Sequence, residues 1–131
     1  MNGSTDLAAM LRTLEVVCRP EEYVYATMPS DHPAVHLAKA TITEAEGLTA
    51  VLRRTDADSH NIVYEYVAAW LTLSVHSSLD AVGLTAAFSH ALAQAGISCN
   101  VLAGYYHDHI LVAAPDRERA MDVLHGLRES S

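Results

Sequence analysis

Positive charge is what this sequence has least of. Eight Lys and Arg stand against sixteen Asp and Glu, a formal net charge of -8 at pH 7. Binding to nucleic acid or to an anionic membrane needs clustered cations that replace phosphate counterions, so both partners are excluded as expectations. The nearest approach to a basic patch, Arg53-Arg54, reads as a solvated strand end. Cysteine is also scarce. Cys18 and Cys99 lie far apart, form no CxxC motif and are too few for a disulfide framework. The bland reading makes Cys99 a small buried residue in a strand and Cys18 the end of a helix.

Targeting and membrane signals are missing as well. The N-terminus, MNGSTDLAAMLRTLEVVC, has no basic segment followed by an apolar run, so it is not a signal peptide. No apolar run reaches membrane-spanning length, since Val67–Val75 is strand-sized and interrupted by Thr72 and Ser74. A cytoplasmic protein is expected. Signatures of catalysis are absent too. There is no glycine-rich phosphate loop, nucleophile elbow or HExxH. His76 and Ser77 are tempting as base and nucleophile, but neighbours in an extended segment point to opposite faces. No enzyme and no cofactor are expected.

What is present is apolar. Half of the 131 residues are hydrophobic and 18% are charged, enough for one packed domain or two small units sharing a core. Asp6–Val17 reads as a first helix, capped by Thr5 or Asp6, with Leu7, Met10, Leu11 and Leu14 on one face and Pro20 as its end. Glu22–Met28 alternates as a strand. Val35–Thr43 holds a short strand before a turn at Glu44–Gly47, and Leu48–Arg53 is another. Thr55–Asn61 suits a helical turn capped by Thr55, Ile62–Ala69 is ambiguous, and Trp70–Val75 is a strand with Trp70 in the core.

The second half is clearer. Leu84, Phe88, Ala91, Leu92 and Ala95 recur at helical spacing, and Gly96 follows as a left-handed C-terminal cap. Ile97–Tyr105 is a strand, His107-Asp108 a hairpin turn and Ile110–Ala114 the return. Pro115 or Asp116 opens a last helix with Ala120, Val123, Leu124 and Leu127 on its face. This half reads β-α-β-β-α. A ferredoxin-like βαββαβ unit needs one strand more, which the first half could donate, with Glu22–Met28 as candidate.

Two loops gather polar side chains: His76, Ser77, Ser78 and Asp80 before the helix, and Tyr105–His109 in the turn. Loops on a rigid scaffold carry most function. Each feature also has a structural reading. Ser77, Ser78 and Asp80 are all N-cap residues. Gly83 can serve close packing against a strand, and Asn100 can satisfy loose backbone at an edge or bulge. The turn can simply lock a hairpin, with Asp108 bonding its own backbone. A sharper alternative joins His76, His107 and His109 in a three-nitrogen metal site of a metal-dependent enzyme. His32, His36, His60, His90 and His125 share no spacing and read as surface residues.

The segment VHSSLDAVGLTAAFSHALAQAGISCNVLAGYYHDHILV, Val75–Val112, resembles ACT domains, the regulatory modules of aspartate kinase and other enzymes of amino-acid metabolism. The resemblance rests on the loop-to-helix entry at Gly83, the AGI of Ala95–Ile97 and Asn100. HSSL and AGYYHDH are similar to stand-alone bacterial tandem ACT-like proteins of largely unassigned function, and EGLT at Glu46–Thr49 extends the likeness into the first half. It implies an α+β chain of two ferredoxin-like (ACT, βαββαβ) units in tandem, sharing or exchanging a strand. A divergent unit over 1–68 would precede a second over 69–131. It further implies a small metabolite, an amino acid foremost, bound at an interface between two domains. The matching positions are His76, Ser77, Ser78, Asp80, Val82, Gly83, Asn100 and Val101, bordered by Tyr106 and His107 in the turn. A helix N-terminus there would suit an α-carboxylate, and Asp80 with the Asn100 amide oxygen an ammonium group. The expected assembly is a homodimer or higher homo-oligomer. A pure interaction module that binds nothing small is the competing reading.

Overall fold

The computed structural model describes residues 3–75 and 83–131, with side chains from Leu7 onward. A helix, α1 (Gly3–Arg12), leads into a long strand, β1 (Glu15–Met28). A 3-10 turn at Pro33–Leu37 precedes the hairpin of β2 (Ala40–Glu44) and β3 (Gly47–Arg53). A short helix, α2 (Arg54–Ser59), leads to β4 (Val67–Ser74). The second half adds α3 (Leu84–Gln94), the hairpin of β5 (Asn100–Ala103) and β6 (Asp108–Ala113), and α4 (Arg117–Glu129).

All six strands form one sheet in the order β2-β3-β1-β4-β6-β5, every neighbouring pair antiparallel. The order resolves the missing strand. Reading from the free edge of the first half, β2-β3-β1 is completed by β4. Reading from the other edge, β5-β6-β4 is completed by β1. Each half therefore lends its first strand to the other as the fourth, so the exchange is reciprocal.

The lent strand is longer than its sequence suggests. The expected helix over Asp6–Val17 stops at Arg12, where the Thr13 hydroxyl donates to the Met10 carbonyl at 2.7 Å. Thr5 and Asp6 lie inside the helix rather than at its cap. Glu15–Cys18 pairs with Ser74–Leu71, which places Val16 and Cys18 against the core and takes Cys18 out of any helix. Nonlocal pairing here overrides a helical pattern that is locally acceptable. Pro20 does not end a helix. It sits where the register shifts between Cys18 and Glu22, the kind of bulge where a missing N–H costs no ladder bond.

Helices cover one face only. Leu84, Phe88 and Leu92 of α3, Leu11 and Leu14, and Ala120 and Leu124 of α4 pack on Leu71, Leu73, Ile110 and Val112. On the first half, Ala57 of α2 joins Val24, Ala26, Met28, Ala50 and Leu52. The opposite face carries Tyr23, Val51, Trp70 and Leu111 with Tyr25, Tyr66 and Leu102, all from strands except Tyr66 in the approach to β4. Trp70 is core, as expected, at 3% exposure, but on this helix-free face.

Smaller corrections follow the same logic. Arg53, not Thr55, occupies the cap position of α2, without a side-chain cap, and its guanidinium holds Asp56 at 3.0 Å. Arg53-Arg54 is ion-paired, to Glu21, Asp56 and Glu22. The strand expected over Ile97–Tyr105 is confined to Asn100–Ala103, so half-buried Cys99 precedes the strand. Among the five histidines read as surface residues, His32 is half-buried and its Nδ1 accepts from the Ala34 N–H at 3.0 Å.

The C-terminal cap of α3 is as expected. Gly96 has φ +74°, and the Ile97 N–H returns to the Leu92 carbonyl at 2.9 Å. Gly126, inside α4, has open space around it and no such requirement. The two glycines should respond with opposite signs. Gly96→Ala should cost about 1–2 kcal/mol for the left-handed conformation, and Gly126→Ala should stabilise by about 0.5–1 kcal/mol. Urea denaturation of both variants checks this.

Candidate functional site

His76, Ser77, Ser78, Asp80 and Val82 lie outside the described residues. Their flanks are placed. β4 ends at Ser74, and Gly83 stands at the N-cap of α3 with φ +94° and no side-chain cap. A Cβ on Gly83 would come 3.3 Å from Leu7 Cδ2. The glycine is therefore needed for its conformation and for close packing, but the packing partner is helix α1 rather than a strand.

Asn100 begins β5, the free edge of the sheet. Its Nδ2 donates to the Leu111 carbonyl at 3.3 Å, so the amide satisfies edge backbone while its Oδ1 has no bond among the described residues. Val101 points the other way and packs against the helix-covered core. Beside Asn100 the Tyr66 hydroxyl is buried and unpartnered among the described residues. Burial raises its pKa. The nearby side chains of Ser98 and Asn100 offset part of that without reaching hydrogen-bonding geometry.

Asn100 and Gly83 do not converge within one chain. Asn100 pairs with Leu111, which pairs with Trp70, four residues before the end of β4 at Ser74. That is about 13 Å along the strand. Asn100 also shares the helix-free face with Leu111 and Leu102, whereas α3 packs on the opposite face.

The second polar cluster is well defined. The hairpin tip is Tyr105–Tyr106 rather than His107–Asp108, closed by the Gly104 N–H donating to the His107 carbonyl at 2.9 Å. Both tyrosines are exposed, and their rings meet edge-on at 5.0 Å. His107 Nδ1 lies 3.1 Å from Ser74 Oγ. His109 Nδ1 accepts the Trp70 indole N–H at 3.1 Å and lies 3.0 Å from Thr72 Oγ1.

An indole N–H can only donate, so His109 Nδ1 must be unprotonated and Nε2 carries the hydrogen of the neutral ring. Burial, then the Arg19 guanidinium and His107, push the His109 pKa below the ordinary imidazole value, opposed by Asp108. The arrangement does not favour the metal reading. Both Nδ1 atoms are engaged and the two rings stand 6.4 Å apart at 89°. Among the described residues no three His, Cys, Asp or Glu side chains form a metal-holding group.

Arg19, Thr72 and Ser74 complete this cluster, and none of them stands out in the sequence. Arg19 stands beside Pro20 in what reads as a helix end. The available signal was the alternation of Glu15, Val17 and Arg19 with Val16 and Cys18.

Two ACT-domain family models match the chain, one over residues 2–69 and the other over residues 65–126. The chain belongs to the ACT-domain family. A Vibrio cholerae protein of unknown function, described as a possible transport protein, is 37% identical. The alignment covers 97% of this ACT-domain chain and 99% of that one, at a TM-score of 0.88. The regulatory subunit of aspartate kinase from Thermus thermophilus has the same fold at 12% identity, TM-score 0.63, covering 86% and 95% of the two chains. A protein from Agrobacterium tumefaciens does so at 17% identity, TM-score 0.64, covering 88% and 89%. No curated protein matches.

The depressed His109 pKa has a consequence for stability. Below the ordinary value of about 6.5, the unfolded chain takes up a proton that folded His109 refuses. Stability therefore falls as pH drops from about 6.5 toward the lower folded pKa, then levels. Above that window His109 contributes no pH dependence. His109→Gln keeps an acceptor for Trp70 and removes the titration. The melting temperature of the variant should fall less between pH 7.5 and 5.5 than that of the native chain, as read by calorimetry.

Proposed function

We propose that this ACT-domain protein is a non-catalytic regulatory protein that binds a small metabolite, an amino acid foremost, and signals by a change in self-association. Its two units divide near residues 68 and 69, and it acts in the cytoplasm as a homodimer or higher homo-oligomer. No described helix is long and apolar enough to cross a membrane, and the acidic balance disfavours nucleic acid.

One observation carries the reading. Asn100 offers an amide oxygen on the free sheet edge, level with Trp70 and four residues along the strands from the end of β4 at Ser74. Within one chain Asn100 and α3 lie on opposite faces of the sheet, so a pocket that uses both forms where two copies meet. A helix N-terminus there receives a carboxylate. His76, Ser77, Ser78, Asp80 and Val82 supply the loop between, and Asp80 with Asn100 Oδ1 an ammonium group. Val101, Tyr106 and His107 border this pocket. Nothing small need bind for the edges to associate, so a pure interaction module is the alternative, favoured by the exposed Tyr105–Tyr106 tip.

Isothermal titration against each proteinogenic amino acid decides between them. The expected result is saturable heat for one amino acid or one small group. Asn100→Ala should weaken that binding at least tenfold, about 1.4 kcal/mol, while the variant still unfolds cooperatively. Heat from none of them would remove the amino-acid reading. If self-association also persisted unchanged in Asn100→Ala and Gly83→Leu, the interaction module would stand.

A further inference from the structure

We propose that the tip of the β5–β6 hairpin is held to the sheet by a latch that acid opens, with the His109 imidazole as its bolt. His109 Nδ1 accepts from two side chains of β4, the Trp70 indole at 3.1 Å and the Thr72 hydroxyl at 3.0 Å. Both bonds need that nitrogen unprotonated. Thr72 can adapt to a proton there, because a hydroxyl can turn and accept. The indole cannot, because it only donates. Trp70 is 3% exposed, so water does not replace the acceptor it loses. Protonation therefore sets two N–H groups against each other, and relief requires the imidazole to leave.

The tip leaves with the ring. A Cβ on Gly104 would come 3.1 Å from His109 Nε2 and 3.3 Å from Cδ2, so the backbone entering the turn lies directly on the imidazole. The Gly104 N–H then closes the turn on the His107 carbonyl at 2.9 Å. Tyr105 and Tyr106 project from it, both exposed. His107 makes a second tie to β4, from Nδ1 to Ser74 Oγ at 3.1 Å. A serine hydroxyl can donate or accept, so this tie tolerates a proton that the Trp70–His109 bond does not.

The charged neighbours support the closed, neutral ring. Arg19 of β1, stacked 3.9 Å over the same indole, and His107 both disfavour a cation at His109. Asp108 opposes them, but it pairs with Leu73, on the helix-covered side of the sheet. β4 and β5 contain no charged or titratable residue. Below about pH 6.5 an imidazole released from Trp70 takes up a proton, so the open population rises about tenfold for each pH unit until the closed ring itself protonates. Acid thus frees an aromatic tip on the sheet edge that also carries Asn100. The latch stands whether or not Asn100 serves an amino acid.

Hydrogen exchange at the Trp70 indole N–H reads the latch, and Trp70 is the single tryptophan. Corrected for intrinsic rate, protection of this N–H in the full chain should fall about tenfold between pH 7.5 and 5.5. Dilute urea separates a local opening from global unfolding, because sensitivity to urea scales with the surface exposed. The indole exchange should be nearly indifferent to urea, while the backbone amides of Phe88 and Leu92 in α3 respond. In His109→Gln, which keeps an acceptor for the indole and does not titrate, the fall with pH should disappear. Indole protection that is constant over this pH range, a urea response as steep as that of Phe88 and Leu92, or an equal fall in a folded His109→Gln would each overturn the latch. The first two are read on the native chain and need no variant.

Discussion

The antiparallel pairing of β1 with β4 is the constraint on which the rest of the structure depends. These two strands stand side by side at the centre of the sheet, and each belongs to both halves. Glu15–Cys18 meets Ser74–Leu71 and Glu22–Val24 meets Ala69–Val67, with an irregularity between the two runs. Removing either strand would strip the neighbouring unit of its fourth strand and expose backbone that has no other partner in the sheet. Both hydrophobic layers under the helices draw residues from this pair: Val16, Cys18, Ala69, Leu71 and Leu73 on one side, Val24, Ala26 and Met28 on the other. Each unit keeps its own apolar cluster under its helices, and the shared strands supply both.

The same pairing positions the polar chemistry. The irregularity at Arg19–Glu21 carries Pro20 where no ladder N–H is required and lays Arg19 over Trp70. Across the β4–β6 ladder, Trp70, Thr72 and Ser74 present donors and hydroxyls to His109 and His107. That fixes the His109 tautomer and ties the tyrosine hairpin to the sheet centre. The effector pocket depends on the pairing less directly. β4 sets where the loop into α3 begins, and the edge strand β5 sets where Asn100 projects. The distance between them turns the problem of a binding site into one of association between copies.

How much of this was legible in the sequence depends on whether the determining contacts are local. The helix from Leu84 and its Gly96 cap were legible because apolar spacing and a left-handed glycine are properties of neighbouring residues. Reciprocal strand exchange was half legible: the second half lacks a strand, which a count of elements reveals. What was hidden is that Glu15–Cys18 is part of the donor. Leu7, Met10, Leu11 and Leu14 set up a helical pattern running into it, Pro20 reads as a terminator, and only pairing with residues far along the chain makes it extended. The turn at Tyr105–Tyr106 was misplaced by two residues because neither tyrosine is a turn former, while Asp108 is. In the candidate site, the need for glycine at position 83 was readable, but its packing partner Leu7 was not. Arg19 was invisible as a site residue because its stacking on Trp70 is a tertiary fact.

The central claim is that β1 and β4 are shared, so that neither half has a complete sheet without the other. Fragment complementation tests it most directly. The chain is cut after Tyr64, before β4, and each piece is followed by far-UV circular dichroism and by amide proton spectra, alone and mixed. Each fragment alone is expected to lack a dispersed spectrum, and mixing to restore the native spectrum together with the Trp70–His109 contact. A fragment that folds alone to a native-like sheet, with spectra unchanged on mixing, would contradict it.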